Sequence, residues 1–108
     1  MHESSIQVKI QLDEQKIPQS IDWSATDSTA QEAQAARAMM LTFWDPTDKT
    51  ALRIDLWTKD MPVDEMKIFI HQSLVAMADT YERATNDEKM SATMRDFTDY
   101  FAEKLELK

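Results

Sequence analysis

The side chains with most scope for acid–base or metal chemistry in this 108-residue chain are its two histidines and its 20 acidic residues. His71 is the histidine inside a predicted helix, and a catalytic histidine needs a carboxylate within hydrogen-bonding reach. Asp64 and Asp79 lie about two turns from His71, too far for a direct bond. A metal-dependent hydrolase around His71 is one alternative, but it would need a carboxylate from another part of the fold. The simpler interpretation is a histidine that packs one ring face and bonds a nearby acceptor.

Two groups of carboxylates could in principle bind a hard cation, which prefers several oxygen ligands. The groups are Asp60, Asp64 and Glu65, and Asp96, Asp99 and Glu103. The first group matches no calcium-loop spacing and instead complements the positive end of a predicted helix. The second group has the three- and four-residue spacing of a solvated helix face. We therefore expect no catalytic residues, no metal and no cofactor.

The chain contains no glycine and no cysteine. Phosphate-binding loops, dinucleotide-binding fingerprints and the GxSxG nucleophile elbow all depend on glycine at special backbone positions. Cysteine is required for disulfides, thiolate nucleophiles and iron–sulfur sites. These absences exclude whole classes of enzyme, and we expect a non-enzymatic protein.

Composition narrows the class of partner. The chain is 43% hydrophobic and 30% charged, which is typical of a soluble globular protein, and its formal net charge is −8. This charge disfavours binding to nucleic acid or to anionic lipid. The first residues lack the basic and apolar segments of a signal peptide, and no run is long enough for a membrane span. We expect a cytoplasmic protein without membrane insertion.

The pattern of hydrophobic residues predicts one compact α+β domain over residues 1–108, with residues 1–4 unstructured. Alternating residues in segments 6–12 and 19–24 predict a β-hairpin, with Pro18 at an edge or at the start of a strand. Residues 52–57 alternate in the same way and predict a third strand. The predicted order is β-β-α-β-α-α, with about three antiparallel strands and the helices packed on one face of the sheet.

An alanine-rich segment, residues 31–44, predicts the first helix, which ends before Pro46. Its capping residues would be Thr29 with Glu32, or Ser28 with Gln31. The residues expected to be buried are Ala36, Met40 and either Phe43 or Trp44.

Two further helices are predicted near the carboxyl end. Pro62 suits the first turn of one helix, and Thr85 with Glu88 predicts a break and a new cap before a second helix over residues 87–105. The apolar stripes are Met66, Ile70, Leu74, Met77 and Tyr81, and Met90, Met94, Phe97, Phe101 and Leu105. We expect the residues of both stripes to be buried in the hydrophobic core. An adaptable, methionine-lined groove is the alternative, typical of a chaperone-like or apolar-ligand-binding module.

The third strand suggests a surface for protein–protein interaction. Arg53, Asp55 and Trp57 alternate with apolar neighbours, so they lie on the sheet face opposite the helices. Lys9 and Gln11 are predicted on the same outer face. An exposed indole among charged residues is a natural anchor for a partner or a second copy. Alternatively, Trp57 is tucked under the helix junction or a terminus.

Three segments of the chain resemble the gliding motility-associated GldC family of Bacteroidetes-type gliding bacteria. They are LRIDLWTKDMPVDEMK (residues 52–67), HQSLVAMADTYERAT (71–85) and NDEKMSATMRDFTDYFAEKLEL (86–107), with looser agreement over QVKIQLDEQKIPQSIDWSATD (7–27). The resemblance implies a role in, or in support of, cell movement over surfaces, together with other gliding proteins as partners. It brings no enzymatic site residues with it.

Overall fold

Five strands followed by two helices make up the part of the chain that a computed structural model describes, residues 2–27 and 32–107. The elements are β1 (Ile6–Leu12), β2 (Pro18–Ala25), β3 (Gln34–Ala36), β4 (Ala38–Asp45), β5 (Thr50–Trp57), α1 (Val63–Thr85) and α2 (Glu88–Lys104). The predicted α+β class is confirmed. Residues 2–4 belong to no helix or strand, and Met1 lies outside the described residues.

Internal contacts divide the chain into two units, Met1–Met61 with all the described strands and Pro62–Lys108 with both described helices. Each unit is described by itself below. The single domain over residues 1–108, and the packing of helices on one sheet face, stay predictions.

The first sheet has the antiparallel order β1-β2-β3. In the β1–β2 hairpin, Val8 pairs with Trp23 and Ile10 with Ile21, so the apolar residues of both strands share one face. Ile21, in the central strand, is only 1% exposed. The predicted hairpin is confirmed, and so is Pro18 as the first residue of a strand, where its missing N–H costs the ladder least.

The second sheet is the antiparallel pair β4–β5, and β4 replaces a predicted helix. The helix predicted over residues 31–44 is wrong, because its described part forms β3 and β4; Ser28, Thr29 and Gln31 of the proposed caps lie outside the described residues. Alanine has the highest helix propensity, but propensity is a weak contribution, and cross-strand packing outweighs it here. Three apolar pairs face each other across the two strands: Met39 with Leu56, Leu41 with Ile54, and Phe43 with Leu52.

The segment after β5 connects the two sheets. The Thr58 amide donates a hydrogen bond to the Arg37 carbonyl oxygen at 2.8 Å, between β3 and β4, and the Lys59 amide donates one to Pro18 at 3.2 Å. The Lys59 Nζ also lies 3.0 Å from Asp13 Oδ2. Thr58 is 2% exposed, so this junction is well packed, and it fixes the start of β4 and the end of β5 against the first sheet.

Tight turns in this glycine-free chain use other residues in the left-handed region. Lys49 closes the β4–β5 turn with φ 53°, and Lys16 serves the β1–β2 turn with φ 65°. The Asp45 carboxylate accepts a hydrogen bond from the Thr47 amide at 2.9 Å and supports the first of these turns. A left-handed residue with a Cβ costs roughly 1 kcal/mol, so both hairpins form in spite of their turn residues.

The two helices are joined by a tight connection. α1 begins directly after Pro62, which is its N-cap and not part of its first turn. It ends at Thr85 and is capped by Asn86, a left-handed residue with φ 59°. The predicted break near Thr85 is therefore confirmed. The predicted Thr85–Glu88 capping box is wrong, because Asp87 caps α2 by accepting a hydrogen bond from the Met90 amide at 3.1 Å. Asp87 is one residue from the helix and is a better N-cap than threonine.

Small side chains fill the contact between α1 and α2. Ala78, Ser91 and Thr98 are 0 to 4% exposed, and small residues let helix backbones approach closely. Met77, Met90 and Phe97 are instead 50 to 54% exposed. These three members of the predicted stripes are therefore not core residues of the described structure, because the helix–helix contact is centred on small residues beside the stripes. The methionine-lined groove stays a prediction.

Candidate interaction surface

One face of the β4–β5 pair carries two tryptophans and an ion pair. Because side chains alternate along a strand, Arg53, Asp55 and Trp57 lie on the same face as Ala51 of β5. The β4 residues opposite these four lie on that face too. We call it the tryptophan face, made of Ala38, Met40, Thr42, Trp44, Ala51, Arg53, Asp55 and Trp57. Trp57 is 55% exposed and Trp44 is 65% exposed, so both indoles are available for contact.

Trp57 lies at the last position of β5, opposite Ala38 of β4. An alanine leaves open space beside the indole, and the next residue, Thr58, is held by its bonds to Arg37. The ring is thus half exposed on a backbone that is firmly positioned. The alternative in which Trp57 is tucked away does not agree with this exposure.

Arg53 and Asp55 form an ion pair along β5. The Arg53 Nε donates to Asp55 Oδ2 at 3.1 Å, and Nη2 donates to Oδ1 at 3.0 Å. This bond to the Asp55 carboxylate raises the pKa of the Arg53 guanidinium. The two side chains are 45% and 41% exposed, so water screens the pair and it adds little stability. Both charges remain open to a partner.

Lys9 and Gln11 lie in β1, in the first sheet, and not beside Trp57 in the β4–β5 pair. Lys9 is opposite Asp22 across the β1–β2 ladder, and the Gln11 Oε1 accepts a long hydrogen bond from Ser20 at 3.4 Å. The candidate residues therefore belong to two sheets. Of the five candidate residues, Arg53, Asp55 and Trp57 lie together in one sheet.

The β4 contribution to the tryptophan face was missed from the sequence. Met40, Thr42 and Trp44 were assigned to a helix, so their alternation with Met39 and Leu41 was not used. The segment Leu41–Trp44 contains one β-branched and two aromatic residues, and such a run before an Asp-Pro turn signal is typical of the first strand of a hairpin. That signal could have placed Trp44 beside the other residues.

His71 has a structural role within the helical unit. Its Nε2 lies 3.0 Å from the Thr98 carbonyl oxygen, and its ring stacks on Phe101 with centroids 6.0 Å apart. A carbonyl oxygen can only accept, so Nε2 carries the proton and donates. This is the ring packing and single acceptor bond expected of a boundary histidine. An open cleft of about 660 Å³ beside it is lined partly by Asp99 and Glu103.

The acidic groups have structural partners. The Thr58 hydroxyl donates to Asp60 and, with Arg37 at 3.9 Å, lowers the pKa of that carboxyl. Asp64 and Glu65 lie in the first turn of α1, where the helix dipole favours negative charge. Within residues 2–27 and 32–107, no group of three or more histidine or acidic side chains could hold a metal ion.

Arg95 links the two helices through two carboxylates of α1. Its Nη1 donates to Glu82 Oε1 at 2.7 Å and its Nη2 donates to Asp79 Oδ1 at 2.9 Å. The Ser91 hydroxyl also donates to Glu82 Oε1 at 3.0 Å. Hydrogen bonds from Arg95 and then Ser91 lower the pKa of Glu82. This network clamps the end of the helical hairpin, and both carboxylates engage the Arg95 guanidinium.

Neither of the two described helices has an apolar stretch that could cross a lipid bilayer. In a comparison with protein families, a model described as "Gliding motility-associated protein GldC-like" matches residues 18–107. No curated protein and no solved structure matches the chain. The matched region contains every described element after β1, and it includes the whole tryptophan face.

Proposed function

Because this chain belongs to the gliding motility-associated, GldC-like family, we propose that it is a non-enzymatic accessory protein of the gliding machinery that works through protein–protein interaction. Its partners would be other gliding-motility proteins or a second copy of the chain, and its compartment the cytoplasm. The family match supports the process. The tryptophan face supports a contact between proteins.

Exposure of Trp57 is the observation that carries this proposal. The indole is 55% exposed at the end of a strand whose backbone is fixed by the Thr58 junction, so binding would order little that is not already ordered. Tryptophan and arginine are enriched among residues that dominate binding energy. Trp57 and Arg53 are therefore the expected anchors, and Trp44 lies at the other end of the tryptophan face, opposite Ala51.

Replacement of Trp57 by alanine tests the proposal in a gliding bacterium whose own copy of the gene is deleted. We expect the wild-type gene to restore gliding and Trp57→Ala to restore it poorly, because the anchor of the contact is lost. Gliding speed of single cells and protein level in the same cells are the measurements. Phe43→Ala is the matched control, since Phe43 is 59% exposed and lies on the opposite face of the same hairpin.

Two outcomes would contradict the proposal. One is full gliding with Trp57→Ala at normal protein level. The other is unfolding of the unit Met1–Met61 in purified Trp57→Ala, seen in the fluorescence of Trp23 and Trp44, which would make the indole part of the folded core. Normal gliding with Phe43→Ala, together with lost gliding and an intact spectrum for Trp57→Ala, would support a contact through the tryptophan face.

A further inference from the structure

The outer edge of β5 is open. β5 pairs with β4 alone among the described strands, and seven of its eight residues are exposed. Natural proteins usually blunt such edges with proline, lysine or a bulge. β5 has the sequence TALRIDLW, which contains neither residue, and its pairing with β4 shows no register shift. Its free N–H and C=O groups could therefore pair with another strand.

The sequence of β5 is complementary to itself when it is read in the opposite direction. If Ile54 is placed opposite Ile54 of a second copy in an antiparallel pair, each Arg53 lies opposite an Asp55 of the other copy. The remaining pairs are Leu52 with Leu56 and Ala51 with Trp57. Opposite charges and matched apolar residues across neighbouring strands are the pairs that stabilise sheets.

We propose that two copies of the chain associate through their β5 edges, antiparallel and centred on Ile54, to form one continuous four-stranded sheet. This inference goes beyond the proposed function, because it names a second copy as the partner and places the contact at the β5 edge, beside the tryptophan face. The two-fold axis passes between the two Ile54 residues. Such an isologous contact is closed, so it gives a dimer and not a fibre.

Charge selects this register over its neighbours. A shift that centres the pair on residue 53 places the two Arg53 guanidinium groups opposite each other, and a shift to residue 55 does the same with the two Asp55 carboxylates. Like charges directly opposite destabilise a sheet. Centring the pair between residues 53 and 54, or between residues 54 and 55, places charged residues opposite apolar ones and mixes the two faces. Among these neighbouring registers, centring on Ile54 is the one that satisfies both the charges and the faces.

The same register also accounts for the small residues of the tryptophan face. Across the four strands, one row would read Trp44, Ala51, Trp57 of the second copy and Ala38 of the second copy. Each indole then has an alanine beside it, which gives large side chains room on a pleated surface. On the opposite face, residues Leu41 and Ile54 of both copies would form a continuous apolar row.

Cysteine cross-linking tests the register directly, because the natural chain has no cysteine. Opposite residues of an antiparallel pair have Cα atoms about 4.5–5.5 Å apart, within the range of a disulfide. Mild oxidation of Ile54→Cys should therefore give a covalent dimer. Leu52→Cys is the matched control: its two copies would be about 14 Å apart along the strands, so it should not cross-link with itself. Absence of the Ile54→Cys dimer, or equal cross-linking of both variants, would overturn the proposal.

Charge reversal gives a second test that leaves the apolar residues intact. Light scattering should give wild type twice the 12.5 kDa mass of one chain. Arg53→Asp alone places two acidic pairs across the contact, and Asp55→Arg alone places two basic pairs, so each should be monomeric. An equimolar mixture of the two variants places Asp opposite Arg at both positions and should recover the dimer. Both variants lack the ion pair along β5, so only a contact between chains explains the recovery.

The failure of this inference can be told apart from failure of the proposed function. A monomeric wild type, or a mixture that stays monomeric, overturns the β5 dimer. If Trp57→Ala still abolishes gliding under those conditions, the tryptophan face binds another gliding protein. If the dimer forms as described and cells with Trp57→Ala glide normally, the inference about β5 stands and the proposed function is contradicted.

Discussion

At the scale of single residues, His71 shows how a candidate catalytic group becomes a structural one. We expect His71→Ala to lower the free energy of unfolding by about 1–3 kcal/mol, because it removes the bond to the Thr98 carbonyl and the stacking on Phe101. His71→Gln is the matched control, since its amide can still donate to the same oxygen. Urea unfolding followed by circular dichroism gives both values. Equal stability of wild type and His71→Ala would mean that this bond does not stabilise the helical hairpin.

Single residues also show what sequence can and cannot predict. Strand alternation predicted the face on which Trp57 lies, and the absence of a nearby carboxylate in sequence predicted the packing role of His71. Whether Trp57 is exposed or tucked away was left open by the sequence. The separation of Lys9 from Trp57 was not predictable. Strand alternation fixes the face of a residue within its own strand, but it does not say which strands share a sheet.

At the scale of elements, the network around Arg95 makes the helical hairpin sensitive to pH. The pKa of Glu82 lies below its ordinary value of 4.5 in the folded chain. The ionised carboxylate therefore stabilises the folded state above that ordinary value, and this contribution is lost as pH falls through the lowered one. We expect wild type to be more stable than Glu82→Gln near neutral pH and the difference to shrink on acidification.

Urea unfolding at a series of pH values measures this difference. Glu103→Gln is a suitable control, because Glu103 lies on α2 and its carboxylate forms no ion pair among the described residues. The free energy of unfolding of Glu103→Gln should equal that of wild type at each pH. A constant difference between wild type and Glu82→Gln across the acid range would show that the pairing with Arg95 contributes nothing through ionisation.

Elements differed in how well the sequence predicted them, and the difference has a physical cause. β1, β2, β5 and both long helices have a strong hydrophobic period, and their bounds were predicted within a few residues. β3 and β4 were not, because the run QAARAM combines good helix formers with an apolar spacing that suits either period. What decides that segment is its pairing with β2 and β5, which lies outside any local window.

At the scale of the whole molecule, the prediction of one domain can be tested with two probes. All three tryptophans, Trp23, Trp44 and Trp57, lie in the unit Met1–Met61. Both described helices lie in the other unit, and helices dominate far-ultraviolet circular dichroism. For a single domain we expect tryptophan fluorescence and ellipticity to change together on unfolding in urea. Two separated transitions would show that the units unfold independently.

The strand and helix pairings described above have a consequence for how the chain is made. β1 pairs with β2, β2 with β3, β4 with β5 and α1 with α2, so each pairing joins elements that follow one another in sequence. Such a topology has low contact order and is expected to fold quickly. A nascent chain leaving the ribosome could complete each hairpin in turn, before the residues that follow it have been synthesised.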